Sequence, residues 1–136
     1  MPTADFFHRY LYALSEIHAS FDLEATQNAV VRNAVMVCDA RGANLMLFNP
    51  SEENLLISAS FGLSDAYLTK GTISPRKSLG ETIDRVPVIV RDVASDPRIQ
   101  YPDATLKEGI RCVVGLPLTA TSALVGALRL YFPQPR

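Results

Sequence analysis

Apolar side chains recur along this chain in two rhythms, and the change from one to the other falls near Gly42. In the first stretch, about 4–20, Phe7, Leu11, Leu14, His18 and Phe21 step by four and three, the spacing of one helical face. Phe6, Tyr10, Ala13 and Ile17 run beside them. That apolar surface is wider than a single neighbour needs. It is expected to meet a second copy of the chain, with Phe7, Tyr10, Leu11, Leu14, Ile17 and His18 at the contact. The plainer alternative is a helix buried within its own domain. Asp22 then reads as an N-cap for a second helix, Leu23 to about Ala40, with Glu24 in its first turn. Leu23, Val30, Ala34 and Val37 face one way, and Ala29, Val31, Val35 and Cys38 broaden the stripe. Arg41 and Gly42 suit its C-terminal end.

Beyond Gly42 the period drops to two. Ala43 to Asn49 alternates as a strand, a turn follows at 49–54, and Leu55 to Phe61 returns as an antiparallel partner. Ser64 suits the cap of a short helix from Asp65 to Thr69. Gly71 to Ser74 reads as a short extended piece, Ser78 to Asp84 as a turn or two of helix, and Val86 to Val90 as a strand opened by Pro87. Asp92 to Gly109 is polar and irregular, with a short helix expected from Asp103 to Glu108. Arg111 to Thr119 and Ala123 to Phe132 close the chain as two strands joined at 120–122. Helices followed by hairpins predict an α+β fold on an antiparallel sheet of about six strands.

Composition narrows this further. The chain has 136 residues, 13 basic and 14 acidic, with 48% hydrophobic and 20% charged side chains. It is one domain's length, and too apolar for wholesale disorder. A net charge of −1 argues against a dedicated nucleic-acid binder. No apolar run approaches the roughly 18 residues of a membrane span, and no secretory leader is visible, so a cytoplasmic setting is the default expectation. Two cysteines, Cys38 and Cys112, make neither a disulfide framework nor a zinc site. Both stand in apolar runs, so both are expected to be buried thiols.

The order of elements and several motifs resemble the GAF domain, a sensory module related to PAS domains. The matching residues spread from about Leu14 to Phe132. They are Leu23-Glu24, Ala59-Ser60-Phe61-Gly62-Leu63, Ser78-Leu79-Gly80, Pro87 through Val93, Asp96-Pro97-Arg98, Gly109-Ile110-Arg111-Cys112, Leu116-Pro117-Leu118 and Val125-Gly126-Ala127-Leu128-Arg129-Leu130. The resemblance implies N-terminal helices on one sheet face and short helices and loops over the other. It divides the chain into an N-terminal helix (1–21), a GAF-like domain (22–132) and a stub (133–136). The family usually continues into a further helix, so the stub reads either as a cut from a longer chain or as the end of an unusually minimal domain.

The resemblance also implies a pocket between the sheet and the segments around 61–72 and 92–109. Phe61, Tyr67, Ile73, Leu79, Ile83, Val90, Tyr101, Ile110 and Cys112 are its candidate lining. Asp92 and Arg98 are polar candidates, with Asp103 beside them, although loop capping explains such residues as well. Arg129 shares a strand face with Val125, Ala127 and Tyr131. It is expected to reach solvent or pair with an acid, with anion contact in the pocket as the alternative.

No cofactor is identifiable. The cyclic-nucleotide pattern of the family is missing, neither cysteine precedes a histidine as in bilin-binding members, and His8 and His18 stand far from the pocket a haem would need. Catalytic motifs are missing too, and the cysteines do not match the pattern of the free methionine sulfoxide reductases that share the fold. The expectation is therefore a non-catalytic sensory or regulatory domain, acting as a homodimer on an unidentified small molecule. It would relay to an output such as a histidine kinase, a cyclic-di-GMP enzyme or a transcription activator, in the manner of bacterial regulators, with no nucleic-acid or membrane partner. A ligand-free dimerisation module is the alternative, and a thiol redox enzyme a third reading.

Overall fold

A computed structural model of the chain describes residues 20–49, 54–74, 86–121 and 123–135. Phe7, Tyr10, Leu11, Leu14, Ile17 and His18, and with them the expected contact between copies, lie outside the described residues. So do Leu79, Ile83 and the helix expected at 78–84.

Helix α1 (Ser20–Cys38) leads into strands β1 (Gly42–Asn49) and β2 (Asn54–Phe61), then the short helix α2 (Asp65–Leu68). Strand β3 (Val88–Val90), helix α3 (Pro102–Lys107), β4 (Cys112–Ala120) and β5 (Ala123–Phe132) follow. All pairings are antiparallel, in the order β2-β1-β5-β4-β3. This is the α+β architecture read from the sequence, with five strands among the described residues. The sixth expected piece is reduced to one bridge, Leu55 with Ile73.

Two layers of side chains coat the sheet. On one face Val31 of α1 meets Ala43, Leu45, Ala59, Cys112, Leu130 and Phe132, with Ala34 and Val35 beside it. On the other, Tyr67, Val88, Val90, Val93, Ile110, Val113 and Tyr131 pack under the loops. Met46, Leu55 and Ile73 extend that layer toward β2. Strict alternation would place residues 55, 57 and 59 on one face. The register shifts so that Leu45 opposes Ala59 while Met46 opposes Ile57. The extra residue, Ser58, therefore turns Ala59 toward α1 and leaves Leu55 and Ile57 with the loop-side layer. Ser58 Oγ donates to Gln27 Oε1 and ties the bulge to α1.

The helix differs from its expected form in three respects. It runs from Ser20, so position 22 is inside it and does not cap it. Its buried line is Val31, Ala34 and Val35, whereas Val30 is 38% and Val37 84% exposed. At 100° per residue these two lie well off the line centred on Val31, and the sheet meets only a narrow stripe. The left-handed residue that ends the helix is Asp39 (φ 52°), not Gly42, which already belongs to β1. Cys38, at the last helical position before that turn, is exposed, which corrects the expectation of a buried thiol; Cys112 is buried.

Candidate functional site

The loop-side layer is not uniformly apolar, and its polar members gather at one place. Ser64 caps α2 as expected, its hydroxyl accepting from the Tyr67 N–H at 3.2 Å. This turn drives Tyr67 inward to 5% exposure. Tyr67 meets Tyr131 of β5 edge to face, ring centres 5.8 Å apart. Its hydroxyl lies 3.3 Å from that of Thr105 on α3, which itself donates to the Tyr101 carbonyl at 2.8 Å. On the far side, buried Asn44 donates Nδ2–H to the Tyr131 hydroxyl at 3.3 Å. Burial above all pushes the Tyr67 phenol well above its ordinary range, so it stays neutral.

These groups border a small cavity, about 20 Å³, lined by Tyr67, Lys70, Ile73, Ile99, Gln100, Tyr101, Thr105, Val113, Arg129 and Tyr131. Such a space holds roughly one or two waters. Gln100 and Tyr101 hold the strap beside it. Gln100 donates to the Thr72 carbonyl at 3.1 Å and accepts from the Ser74 N–H at 2.9 Å, and the Tyr101 hydroxyl donates to Thr72 O at 2.7 Å. The Tyr101 ring lies against Gly71, whose φ of +151° and lack of a side chain admit that approach.

Two cations face the cavity. Arg129 is only 5% exposed on the loop side of β5, opposite Gly115 and Asn44. This overturns the expectation that it reaches solvent, because alternation along β5 puts it on the face that the loops cover. Lys70 donates to the Tyr67 carbonyl at 3.1 Å, and its ammonium sits 3.8 Å from the centre of the Tyr67 ring. Burial, and then repulsion from Arg129, lower the Lys70 pKa to about 8, against a smaller opposing pull from Glu108.

Of the residues singled out in the sequence, Tyr67, Ile73 and Tyr101 line this cavity. Val90 and Ile110 are fully buried in the core beneath the loops and do not reach it. Phe61 is 40% exposed at the end of an edge strand, and Cys112 packs against α1 on the opposite sheet face. Asp92 accepts from the Ala94 N–H and pairs with Arg111 at 3.1 Å. Arg98 pairs with Asp96 at 2.7 Å and donates to the Ile89 carbonyl. Those bonds pull both carboxyls below their ordinary range: the Ala94 amide chiefly for Asp92, the Arg98 guanidinium chiefly for Asp96. Asp92 and Arg98 thus brace loops, as their turn-forming positions suggest. Asp103 stands in the first turn of α3, exposed. Lys70, Gln100, Thr105 and Tyr131 were not singled out. Tyr131 was legible from its shared strand parity with Arg129; the others enter only because loops distant in sequence fold together.

A larger groove, about 190 Å³, runs along β2 beside Leu55, Leu56, Leu68 and Ile73. Among the described residues its lining carries no charged side chain, so the smaller cavity is the better candidate site. Among the described residues no three metal-ligating side chains cluster, and no helix is long and apolar enough to cross a membrane.

No protein-family model and no curated protein sequence matches the chain. Solved structures do. The GAF domain of a phosphoenolpyruvate-protein phosphotransferase from Coxiella burnetii superposes with a TM-score of 0.72 at 18% identity, over 98% of this chain and 81% of that one. A domain of a two-component sensor histidine kinase from Sinorhizobium meliloti 1021 gives 0.67 at 20% identity, over 83% and 74%. A free methionine-R-sulfoxide reductase from Neisseria meningitidis gives 0.68 at 14%, over 99% and 78%. The chain therefore has the GAF fold. That fold carries both signalling domains and an enzyme, so it does not choose between them.

Proposed function

We propose that this chain is a GAF-type sensory or regulatory domain that binds a small molecule between the sheet and its loops and relays the event to an output domain. The observation that carries the reading is the convergence of a buried arginine, a half-buried lysine and three tyrosines on one cavity in an otherwise aliphatic layer. Polar groups gathered on loops over a rigid sheet are costly for stability and are the usual make-up of a binding site. The likeness to a sensor histidine kinase domain and to a phosphotransferase GAF domain supports the signalling role. Relay follows if the ligand prefers one arrangement of the loops and helices over another, since only differential affinity shifts a population. The domain acts as a homodimer through the apolar segment at 4–20.

The reading is non-catalytic. A reductase with this fold is among the similar structures, but Cys112 is sealed on the α1 side of the sheet, away from the cavity, and Cys38 stands exposed at the helix end. A second reading, a ligand-free dimerisation module, draws on the small size of the cavity. Native mass spectrometry of freshly purified protein separates the two, combined with thermal shifts against a metabolite panel. A retained mass or a saturable shift is expected. A dimeric species with neither would replace sensing by the structural role, and a monomer at micromolar concentration would remove the homodimer.

A further inference from the structure

We infer that Asn44 and Ser60 form an internal hydration site, in which one water bridges Asn44 Oδ1 and Ser60 Oγ between β1 and β2 and anchors the amide that supports the Tyr131 hydroxyl. The two residues stand directly opposite each other in the register of β1 and β2. Directly opposed side chains leave the same sheet face, with Cβ atoms about 4.5–5.5 Å apart. That face is the loop side, because Ala59 beside Ser60 points to α1 while Asn44 reaches Tyr131 in the other layer. Asn44 is fully buried, and its Nδ2–H donates to the Tyr131 hydroxyl at 3.3 Å. Its Oδ1 and the Ser60 Oγ are both buried, and neither has a hydrogen-bond partner among the described residues. A buried carbonyl without a donor bears its whole desolvation cost, and two such oxygens facing each other across a strand pair call for a shared partner.

The chemistry of the two oxygens selects that partner. An amide carbonyl only accepts, whereas a serine hydroxyl both accepts and donates. A water gives one hydrogen to Oδ1 and meets Ser60 with its second hydrogen or its oxygen, so both atoms are satisfied at once. Internal waters make about two to four such bonds. A calcium or magnesium ion takes about six or more oxygens, well beyond this pair. An ammonium group would have to bury a full charge against two neutral oxygens. Hydrocarbon closes the site. Gly42 lies two residues before Asn44 on the same face, and a Cβ placed on it would fall 2.7 Å from Leu63 Cδ2. Leu63 therefore lies over the strand next to Asn44, and it packs in turn against the layer of Tyr67 and Tyr131. Hydrogen bonds enclosed this way are stronger than in water. The bridging water belongs to the fold of this face and stands whatever the cavity binds.

The test uses the whole chain and has two readouts. A high-resolution crystal structure is expected to show one ordered water within hydrogen-bond distance of both Asn44 Oδ1 and Ser60 Oγ. Ser60→Ala removes one of the two anchors of that water. It should lower the melting temperature by about 2–8 °C, the shift that roughly one lost hydrogen bond produces. A hydroxyl with no partner predicts the opposite sign, because a methyl group in its place leaves stability level or raised. Density with no water between the two oxygens, or the two side chains bonded directly to each other, would overturn the inference. So would Ser60→Ala melting at or above the temperature of the unaltered chain. If Ser60→Ala does not fold, the crystal structure of the unaltered chain decides.

Discussion

The two faces of the sheet are built from the same strands yet differ in kind. Toward α1, β1, β4 and β5 present alanine, leucine, cysteine and phenylalanine, closed over by Val31, Ala34 and Val35. Toward the loops the same strands present Asn44, Arg129 and Tyr131 among their apolar residues, and the covering segments add Tyr67, Thr105 and Lys70. The first face gains nearly all its stability from dry burial, which needs no particular geometry beyond good packing. The second depends on a connected set of hydrogen bonds, Asn44 to Tyr131 and Tyr67 to Thr105 to Tyr101, where each member must keep its partner. A face that only needed to be stable would have been made like the first. The polar set is therefore the better guide to function, and the aliphatic set the better guide to fold.

Substitutions on each face should break the contrast in different ways. Leu130→Ala, on the α1 face at 6% exposure, should cost about 2–5 kcal/mol from lost burial and a residual cavity. Urea denaturation should show a lower midpoint with an unchanged slope, and binding at the cavity on the other face should stay intact. Tyr131→Phe, on the loop face, removes one oxygen and leaves the Asn44 amide donor buried without its acceptor. About 1–3 kcal/mol of destabilisation is expected, together with a change in ligand response that Leu130→Ala does not produce. Should Tyr131→Phe prove neutral in stability, the hydrogen-bonded set would not be a structural necessity of this face.

The smallest effect is a pH dependence. Lys70 has its pKa lowered to about 8 in the fold against an ordinary 10.5, so the unfolded chain holds more protons between those values. Stability should therefore rise with pH across about 8 to 10.5 relative to Lys70→Met, as the charge that faces Arg129 is removed. Burial lowers the pKa most, Arg129 next, and Glu108 opposes both, while the Tyr67 ring lies under the ammonium. Because Lys70 is only half-buried, solvent screening keeps the gain small. Melting curves of both chains over that range check the sign, and a parallel pair of curves would remove Lys70 from the charged site.

Much of this was legible before any coordinates. The period-two segments became β1, β2, β4 and β5 within about a residue at each end, and Ser64 capped the turn that it was expected to cap. The family resemblance implied a pocket between sheet and loops, and of the residues named for it Tyr67, Ile73 and Tyr101 border the cavity there. The errors have common physical sources. Val30 and Val37 were read as core because a helix of apolar residues shows several plausible stripes, and only the partner surface selects one. Cys112 was placed in the pocket because strand parity says which residues share a face without saying which face the loops cover.

What the sequence settled alone was local: where the rhythm changes, where Ser64 caps a short helix, and which residues alternate together along a strand. Those depend on backbone sterics and near-neighbour spacing, which the chain carries in itself. The tertiary structure decided the rest. The extra residue at Ser58 reverses the sidedness of β2, which no run of alternating residues announces. Arg129, Lys70, Gln100 and Thr105 share a cavity only because β5, the turn after α2 and the segment around α3 meet over one sheet face. Charge and burial belong to that meeting: an arginine on a strand is an ordinary surface residue until the loops from elsewhere in the chain close above it.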